Sequence, residues 1–279
     1  MKITFKTMPQ HTEWAPIEEL WIAADEMPEI SGGWLFDHFY PINSDDPTGP
    51  CFEGWTALAY LAGVTSRLRL GLMVSGNTYR HPALLANICA TLDVVSRGSL
   101  EIGIGAAWNE AEHAAYGIDF PRTGVRMDML DEACQVLDAL LTQRVSNFSG
   151  SHYRLTDAYC EPKPLQQPRP PLVIGGGGEQ RTLRIVAKYA DHWNFPGRTG
   201  AELAAKREVL LQRCEEVGRD PKEIEISVHL FEPLEPAASA ASAKELAAAG
   251  CDHVIVYMNA PFDPARLQAV ASAVQDACA

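Results

Sequence analysis

Leu172-Val173-Ile174-Gly175-Gly176-Gly177-Gly178-Glu179 carries a short apolar strand through four glycines into a helix. Beyond the glycines, Leu183, Val186, Ala187 and Ala190 recur at helical spacing, while Arg181, Arg184 and Lys188 take the outer face. The first turn of such a helix has unpaired N–H groups, and glycines ahead of it let an anion approach them closely. Gly175, Gly176, Gly177 and Gly178 are therefore a candidate phosphate cradle, to which Arg181 could add a forked cation. A tight strand-to-helix turn needing positive φ accounts for one or two of these glycines but hardly for four in a row.

The same strand-then-helix rhythm extends in both directions. Strands are expected at Ile3–Thr7, Gly33–Asp37, Arg69–Val74, Leu100–Gly105, Leu172–Gly175, Asp191–Phe195, Glu223–Phe231 and Asp252–Met258. Helices are expected at Pro16–Glu26, Glu53–Thr65, Pro82–Val95, Arg122–Leu141, Arg181–Tyr189, Ala201–Val217, Ala240–Ala249 and Pro264–Ala277. Eight such units, with strands that read as apolar runs buried on both faces, predict an α/β fold of the (β/α)8 TIM-barrel type. The chain's 279 residues suit that fold, which needs ~250. An open doubly wound sheet would carry a glycine fingerprint in its first turn, where Met8-Pro9-Gln10-His11 stands instead. One barrel domain is expected over residues 1–279. A small insertion over about 144–170 precedes strand five, with a hairpin around Phe148–Leu155 and a proline-stiffened connector.

Composition excludes several function classes. A net charge of −13 repels nucleic acid and anionic membranes, so neither is an expected partner. No window approaches ~20 uninterrupted apolar residues, and the start Met1-Lys2-Ile3-Thr4-Phe5 enters a strand without an export signal, which makes the cytoplasm the expected location. The cysteines, seven in number, are scattered singly without C-x-x-C spacing and read as reduced thiols. Glu112-His113, Asp191-His192 and Asp252-His253 are adjacent pairs rather than residues sharing one face. They read as surface or supporting groups, and no metal site is expected.

In a barrel of this kind the residues just beyond each strand carry function. Here they are Asp37-His38-Phe39-Tyr40, Ser75-Gly76-Asn77-Thr78, Gly105-Ala106-Ala107-Trp108-Asn109, Asn194-Phe195-Pro196-Gly197-Arg198 and His229-Leu230-Phe231. An aromatic, amide-rich mouth beside a phosphate pocket suits a planar, phosphorylated ring cofactor. Gly103-x-Gly105 lacks the third glycine of a dinucleotide fingerprint, and no Walker loop, Gly-x-Ser-x-Gly elbow or His-Glu-x-x-His helix occurs. A phosphate-substrate lyase or isomerase would want a lysine or paired carboxylates at the strand ends.

Trp34-Leu35-Phe36-Asp37-His38-Phe39, Ser96 to Gly105 with Trp108, and Leu172 to Glu179 with Thr182-Leu183-Arg184 resemble the successive signatures of the luciferase-like monooxygenase superfamily. They are similar in particular to its deazaflavin branch, the oxidoreductases dependent on coenzyme F420. The likeness spans roughly Ile3 to Val256. It implies hydride transfer between F420 and a small organic substrate, or alternatively an FMN-dependent monooxygenase using reduced flavin and oxygen, since both cofactors carry a phosphate on a ribityl chain. It also implies a homodimer.

Laid onto matching positions, the resemblance makes His38 the hydrogen-bonding or proton-relaying group beside the reacting carbon, a task suited to a side chain that titrates near neutrality. Asp37 belongs to the same cofactor-binding motif. A non-proline cis peptide that buttresses the ring would fall near Leu72-Met73-Val74, so Met73 and Val74 join the site. Ser75 and Asn109 would bond the ring or ribityl chain, and the Gly175–Gly178 amides would hold the phosphate. Trp108 either shapes the ring pocket or packs the barrel. Sugar-phosphate dehydrogenases of that branch carry an acid where Trp108 stands, which argues against glucose 6-phosphate as substrate. Phe195, Arg198 and His229 are candidate substrate contacts. Glu112 is either a carboxylate near the mouth or a first-turn acid complementing a helix dipole.

Overall fold

Strand β1 (Lys2–Thr7) lies parallel to β11 (His253–Met258) along its whole length, so the first and last strands of the chain meet and close a ring. The computed structural model describes residues 1–279. Between those two strands come β2 (Gly32–Leu35), β3 (Arg69–Leu72), β4 (Ser75–Gly76), β5 (Leu100–Gly105), β8 (Leu172–Gly175), β9 (His192–Phe195) and β10 (Glu225–Leu230), with the hairpin β6 (Ser146–Ser149) and β7 (Arg154–Ala158) set apart. The ring runs β3-β2-β1-β11-β10-β9-β8-β5 and closes through β5 onto β3, all pairs parallel. It is an eight-stranded TIM barrel. The short β4 continues the line of β3 along β5 after a break at Met73–Val74, where the peptide bond is cis.

Helices α1 (Trp14–Asp25), α2 (Gly54–Val64), α3 (Pro82–Val95), α5 (Thr123–Thr142), α6 (Thr182–Tyr189), α7 (Gly200–Val217), α8 (Pro236–Ala248) and α9 (Pro264–Ala277) surround the ring. Local chemistry sets their ends. Pro82 opens α3 with its preset φ, and Thr199 with Glu202 forms a reciprocal cap on α7, which Gly218 ends in the left-handed conformation. A further helix, α4 (Glu110–Tyr116), lies in what the sequence presents as the loop after strand four. It has no apolar stripe to announce it, because its buried residues are Glu112 and His113.

The main apolar core lies between the ring and the helices. Ile3 and Phe5 point outward, and Phe5 meets Trp21 of α1 edge to face at 5.1 Å. The lumen is different. Its apolar part is a small cluster of Trp34, Met73, Val173 and Ile255, and the rest is polar. The expectation of strands apolar on both faces is therefore corrected: β1, β9, β10 and β11 alternate, with Lys2, Thr4 and Lys6, or Glu225, Ser227 and His229, on the inside. His192 and His253, read from sequence as surface or supporting groups, are fully buried in this lumen.

Two parallel chains of hydrogen bonds fill its lower half. Trp34 Nε1 donates to Thr4 Oγ1, which meets His253 Nε2 at 2.6 Å, and His253 Nδ1 lies 2.6 Å from Glu225. Asn194 Nδ2 donates to Ser227 Oγ, which meets His192 Nε2 at 2.6 Å, and His192 Nδ1 faces Glu101 at 3.5 Å. The Lys2 ammonium sits among these carboxylates, 3.0 Å from Glu225 and 3.5 Å from Glu101.

Candidate active site

The carboxyl ends of the strands open into a cavity of about 510 Å³. His38, which follows β2, forms one wall. Its Nδ1 lies 2.8 Å from Glu112 Oε2 of α4, and the imidazole is walled by Phe36, Tyr79 and Trp108 at ring distances of 5.1, 6.3 and 5.5 Å. Glu112 is completely buried and accepts two more hydrogen bonds, from the Phe39 N–H at 2.5 Å and from the Tyr79 hydroxyl. Burial alone would push the Glu112 carboxyl up, but the bonds from His38, Phe39 and Tyr79 outweigh it and hold the group below its ordinary value. An ionised carboxylate only accepts, so His38 Nδ1 must donate, which leaves its Nε2 as the atom that can take or give a proton. Burial and Glu112 together push the Tyr79 hydroxyl up, so it stays protonated and donates.

At the opposite wall stand Gly105, Gly175, Gly176 and Thr182. Gly176 has φ +126°, and a Cβ there would stand 3.0 Å from Thr182 Cγ2. The Gly176 N–H bonds the Asn194 carbonyl at 3.2 Å and its own carbonyl accepts from Trp193 Nε1, whereas the N–H groups of Gly177 and Gly178 donate to no protein group. The floor is the broken strand: Met73, Val74, Ser75 and Gly76, with the Met73 carbonyl held by Lys6 Nζ at 2.7 Å. None of the 23 lining residues is Asp or Glu.

Of the residues singled out by sequence, His38, Met73, Val74, Ser75, Trp108, Gly175, Gly176 and His229 line this one cavity. The others stand behind it. The Asp37 carboxylate is buried against the Arg80 guanidinium. Asn109 caps α4, accepting from the Glu112 N–H at 3.2 Å. Gly177 and Gly178 form the turn just beyond the lining. Arg181 reaches away from the glycines to the Gly124 carbonyl at 2.5 Å and to Asp128 at 2.9 Å. Phe195 packs on Trp193, and Arg198 lies 4.3 Å over the ring of Phe231, itself a lining residue.

Sequence reasoning missed Lys6, Tyr79 and Tyr257, and left Glu112 undecided. The signal for Lys6 was present in the alternation of Lys2, Thr4 and Lys6 with the apolar Ile3 and Phe5. Among possible metal ligands, His192, Glu225 and His253 bring atoms within 4.8 Å of one another, but Lys2 already supplies their cation and each imidazole is engaged on both nitrogens.

Comparison with known proteins agrees with this architecture. Residues 10–276 match the family model of luciferase-like monooxygenases. An F420-dependent glucose-6-phosphate dehydrogenase of Kineococcus radiotolerans is 33% identical over 193 residues, which is 68% of this chain and 53% of that protein. A pyrimidine monooxygenase of Allorhizobium ampelinum is 33% identical over 150 residues, 53% of this chain and 40% of that protein. The chain spans about half the length of the curated relatives it matches. In fold it is similar to an F420-dependent secondary alcohol dehydrogenase solved with an F420-acetone adduct, with a TM-score of 0.83 at 18% identity over 98% of both chains. The chain belongs to the luciferase-like monooxygenase family.

Proposed function

We propose that this chain is an oxidoreductase that exchanges a hydride between F420 and a small organic substrate. The observation that carries the reading is a single cavity bounded on one side by His38, oriented by a buried glutamate, and on the other by a glycine turn. The residues present fit a phosphorylated tricycle. Gly176 keeps clear a space that a Cβ would narrow, the Gly177 and Gly178 N–H groups have no competing acceptor, and the lining holds no carboxylate to repel an anion.

When bound, F420 supplies the hydride-carrying carbon, and the protein supplies position and protons. The Gly177 and Gly178 amides would hold the phosphate. Trp108 and the Met73–Ser75 segment would confine the ring between them. His38 Nε2, its tautomer fixed by Glu112, would take the proton from an alcohol substrate or return it to a carbonyl oxygen. Phe231, His229 and Tyr257 would form the substrate's side of the cavity. A second copy would cover exposed apolar residues of α2 and α3 such as Val64, Leu84 and Val95.

Fluorescence titration of the chain with F420 and, separately, with FMN tests the reading. Saturable micromolar F420 binding is expected. Similarity to a pyrimidine monooxygenase favours the second reading, a reduced-FMN monooxygenase. FMN binding without F420 binding, with oxygen uptake in the presence of reduced FMN, would replace the first reading with the second.

A further inference from the structure

Lys6 and His229 stand on β1 and β10, with β11 between them, and both face the cavity. Both are buried, at 7% and 8% exposure. Lys6 has one protein acceptor, the Met73 carbonyl at 2.7 Å, and an ammonium has three protons to give. His229 Nε2 has no hydrogen-bond partner at all. Their surroundings are apolar and aromatic: Met8, Phe231 and the ring of Tyr257, whose centroid is 5.2 Å from Lys6 Nζ. Buried polar groups normally find all the partners they can use, so the unused Lys6 protons beside an unpartnered imidazole mark a polar spot that the protein itself leaves open.

We propose that Lys6, with the imidazole of His229 beside it, forms the substrate's anchoring subsite, and that it selects a small organic acid whose carboxylate accepts from Lys6 Nζ. The inference rests on the oxidoreductase reading above and adds the class of substrate to it. In a chain with 36 acidic residues, a cavity without one is a place where an organic anion meets no repulsion. Lys6 is the only Lys or Arg among the lining residues. The aromatic walls suit a carbon skeleton, which places the polar end on the β1–β10 side and leaves the rest of the molecule toward His38.

The charge on this subsite depends on its occupant. Burial pushes the Lys6 ammonium down to about 7, and burial followed by Lys6, His253 and His192 keeps His229 well below its ordinary value. The titratable groups around Lys6 are His229 from β10, Tyr257 from β11, and His38 and Tyr79 across the cavity, with His192 and His253 one layer below. None is acidic, and burial pushes Tyr257 up to about 12, so it stays neutral. A carboxylate arriving beside Lys6 favours the charged amine. At pH 8 binding therefore draws in roughly one proton per anion.

The test uses benzoate and its neutral isostere benzamide, titrated calorimetrically at pH 8 in two buffers of different ionisation enthalpy. Benzoate is expected to bind on the order of tenfold more tightly than benzamide and to take up a proton. Lys6→Gln, which keeps a donor for the Met73 carbonyl, is expected to abolish both the preference and the proton uptake. Equal binding of the two probes by the wild-type chain, or an unchanged preference in a folded Lys6→Gln variant, overturns the proposal. F420 is titrated into the same wild-type preparation. F420 binding with no benzoate preference refutes the subsite alone, whereas a benzoate preference without F420 binding refutes the cofactor reading and leaves the subsite standing.

Discussion

His38 Nδ1 stands 2.8 Å from Glu112 Oε2, and that carboxylate is also the acceptor for Tyr79 and for the backbone N–H of Phe39. The pair joins a loop after β2 to a helix that begins after β5. Neither element alone could fix the imidazole, and together they leave it one free nitrogen on the cavity side.

Replacing Glu112 by Gln keeps the volume but turns an acceptor-only carboxylate into an amide that can also donate, so Nδ1 is no longer obliged to carry the proton. Nitrogen-15 NMR of labelled wild-type chain is expected to show His38 as a single Nδ1–H tautomer at pH 8, and Glu112→Gln as a mixture. Turnover of any substrate found is expected to fall by about 10²–10⁴-fold, the range that a correctly placed acid–base group contributes. A single Nδ1–H tautomer in Glu112→Gln would contradict the assignment.

Asp37→Asn tests a different division of labour. Its carboxylate holds a buried guanidinium that otherwise has only Glu53, at 3.4 Å. Breaking a buried pair costs about 3–5 kcal/mol, and the partial substitute in Glu53 puts the expectation at the lower end. Urea unfolding is expected to register that loss, while F420 affinity changes by less than about threefold, a difference smaller than one lost hydrogen bond. The reverse pattern would place Asp37 at the cofactor.

Gly176→Ala is expected to weaken F420 binding by roughly tenfold or more and to lower stability by about 1–3 kcal/mol, because φ +126° is a region that side chains rarely adopt and Thr182 crowds the new methyl. Gly117→Ala is the control. It too has positive φ, but nothing lies within 4 Å of its Cβ, so it should lose stability without losing affinity. Thermal unfolding and fluorescence titration of both variants separate the two effects.

The lumen predicts acid sensitivity. Burial, partly countered by Glu225, lowers His253 from 6.5 to about 4. Burial would raise Glu225, but His253, His192 and Lys2 bring it from 4.5 down to about 2. In both cases the unfolded chain binds protons that the folded chain refuses, so the contribution of these two groups is complete above pH 6.5 and falls as pH drops, first through the histidine's interval and then through the glutamate's. For His253 alone the loss by pH 4 is about 3 kcal/mol. Urea midpoints at pH 7.5 and 4.5 are expected to differ accordingly, with a smaller difference in His253→Gln; equal midpoints would refute the account.

The barrel was readable because its outward strand positions and its helices repeat simple apolar patterns, and the glycine turn after β8 pointed at the cavity directly. What stayed hidden was whatever depends on pairing across the lumen. Glu112 looks like an ordinary first-turn acid until α4 is seen to turn it inward against His38. Arg181 looks like a partner for the glycines because it is three residues away, yet Asp128 on α5 draws it off. The alternation of Lys2, Thr4 and Lys6 gives β1 a polar face, but only the closed ring puts Lys6 beneath a cavity. Local spacing fixes an element, but the direction of a long charged side chain depends on the strand or helix that happens to be its neighbour.

The polar interior also constrains how β1 can be assembled. A slip of one residue along β11 would turn Ile3 and Phe5 into the lumen and drive Lys2, Thr4 and Lys6 out among the helices. Glu225 and Glu101 would lose their lysine, His253 and Trp34 their shared hydroxyl, and the Met73 carbonyl its donor, each at a cost on the order of 1–3 kcal/mol. Interchangeable aliphatics in the same positions would accept neighbouring alignments at little cost. The polar face of β1 therefore favours one alignment over its neighbours at the seam where the ring is sealed.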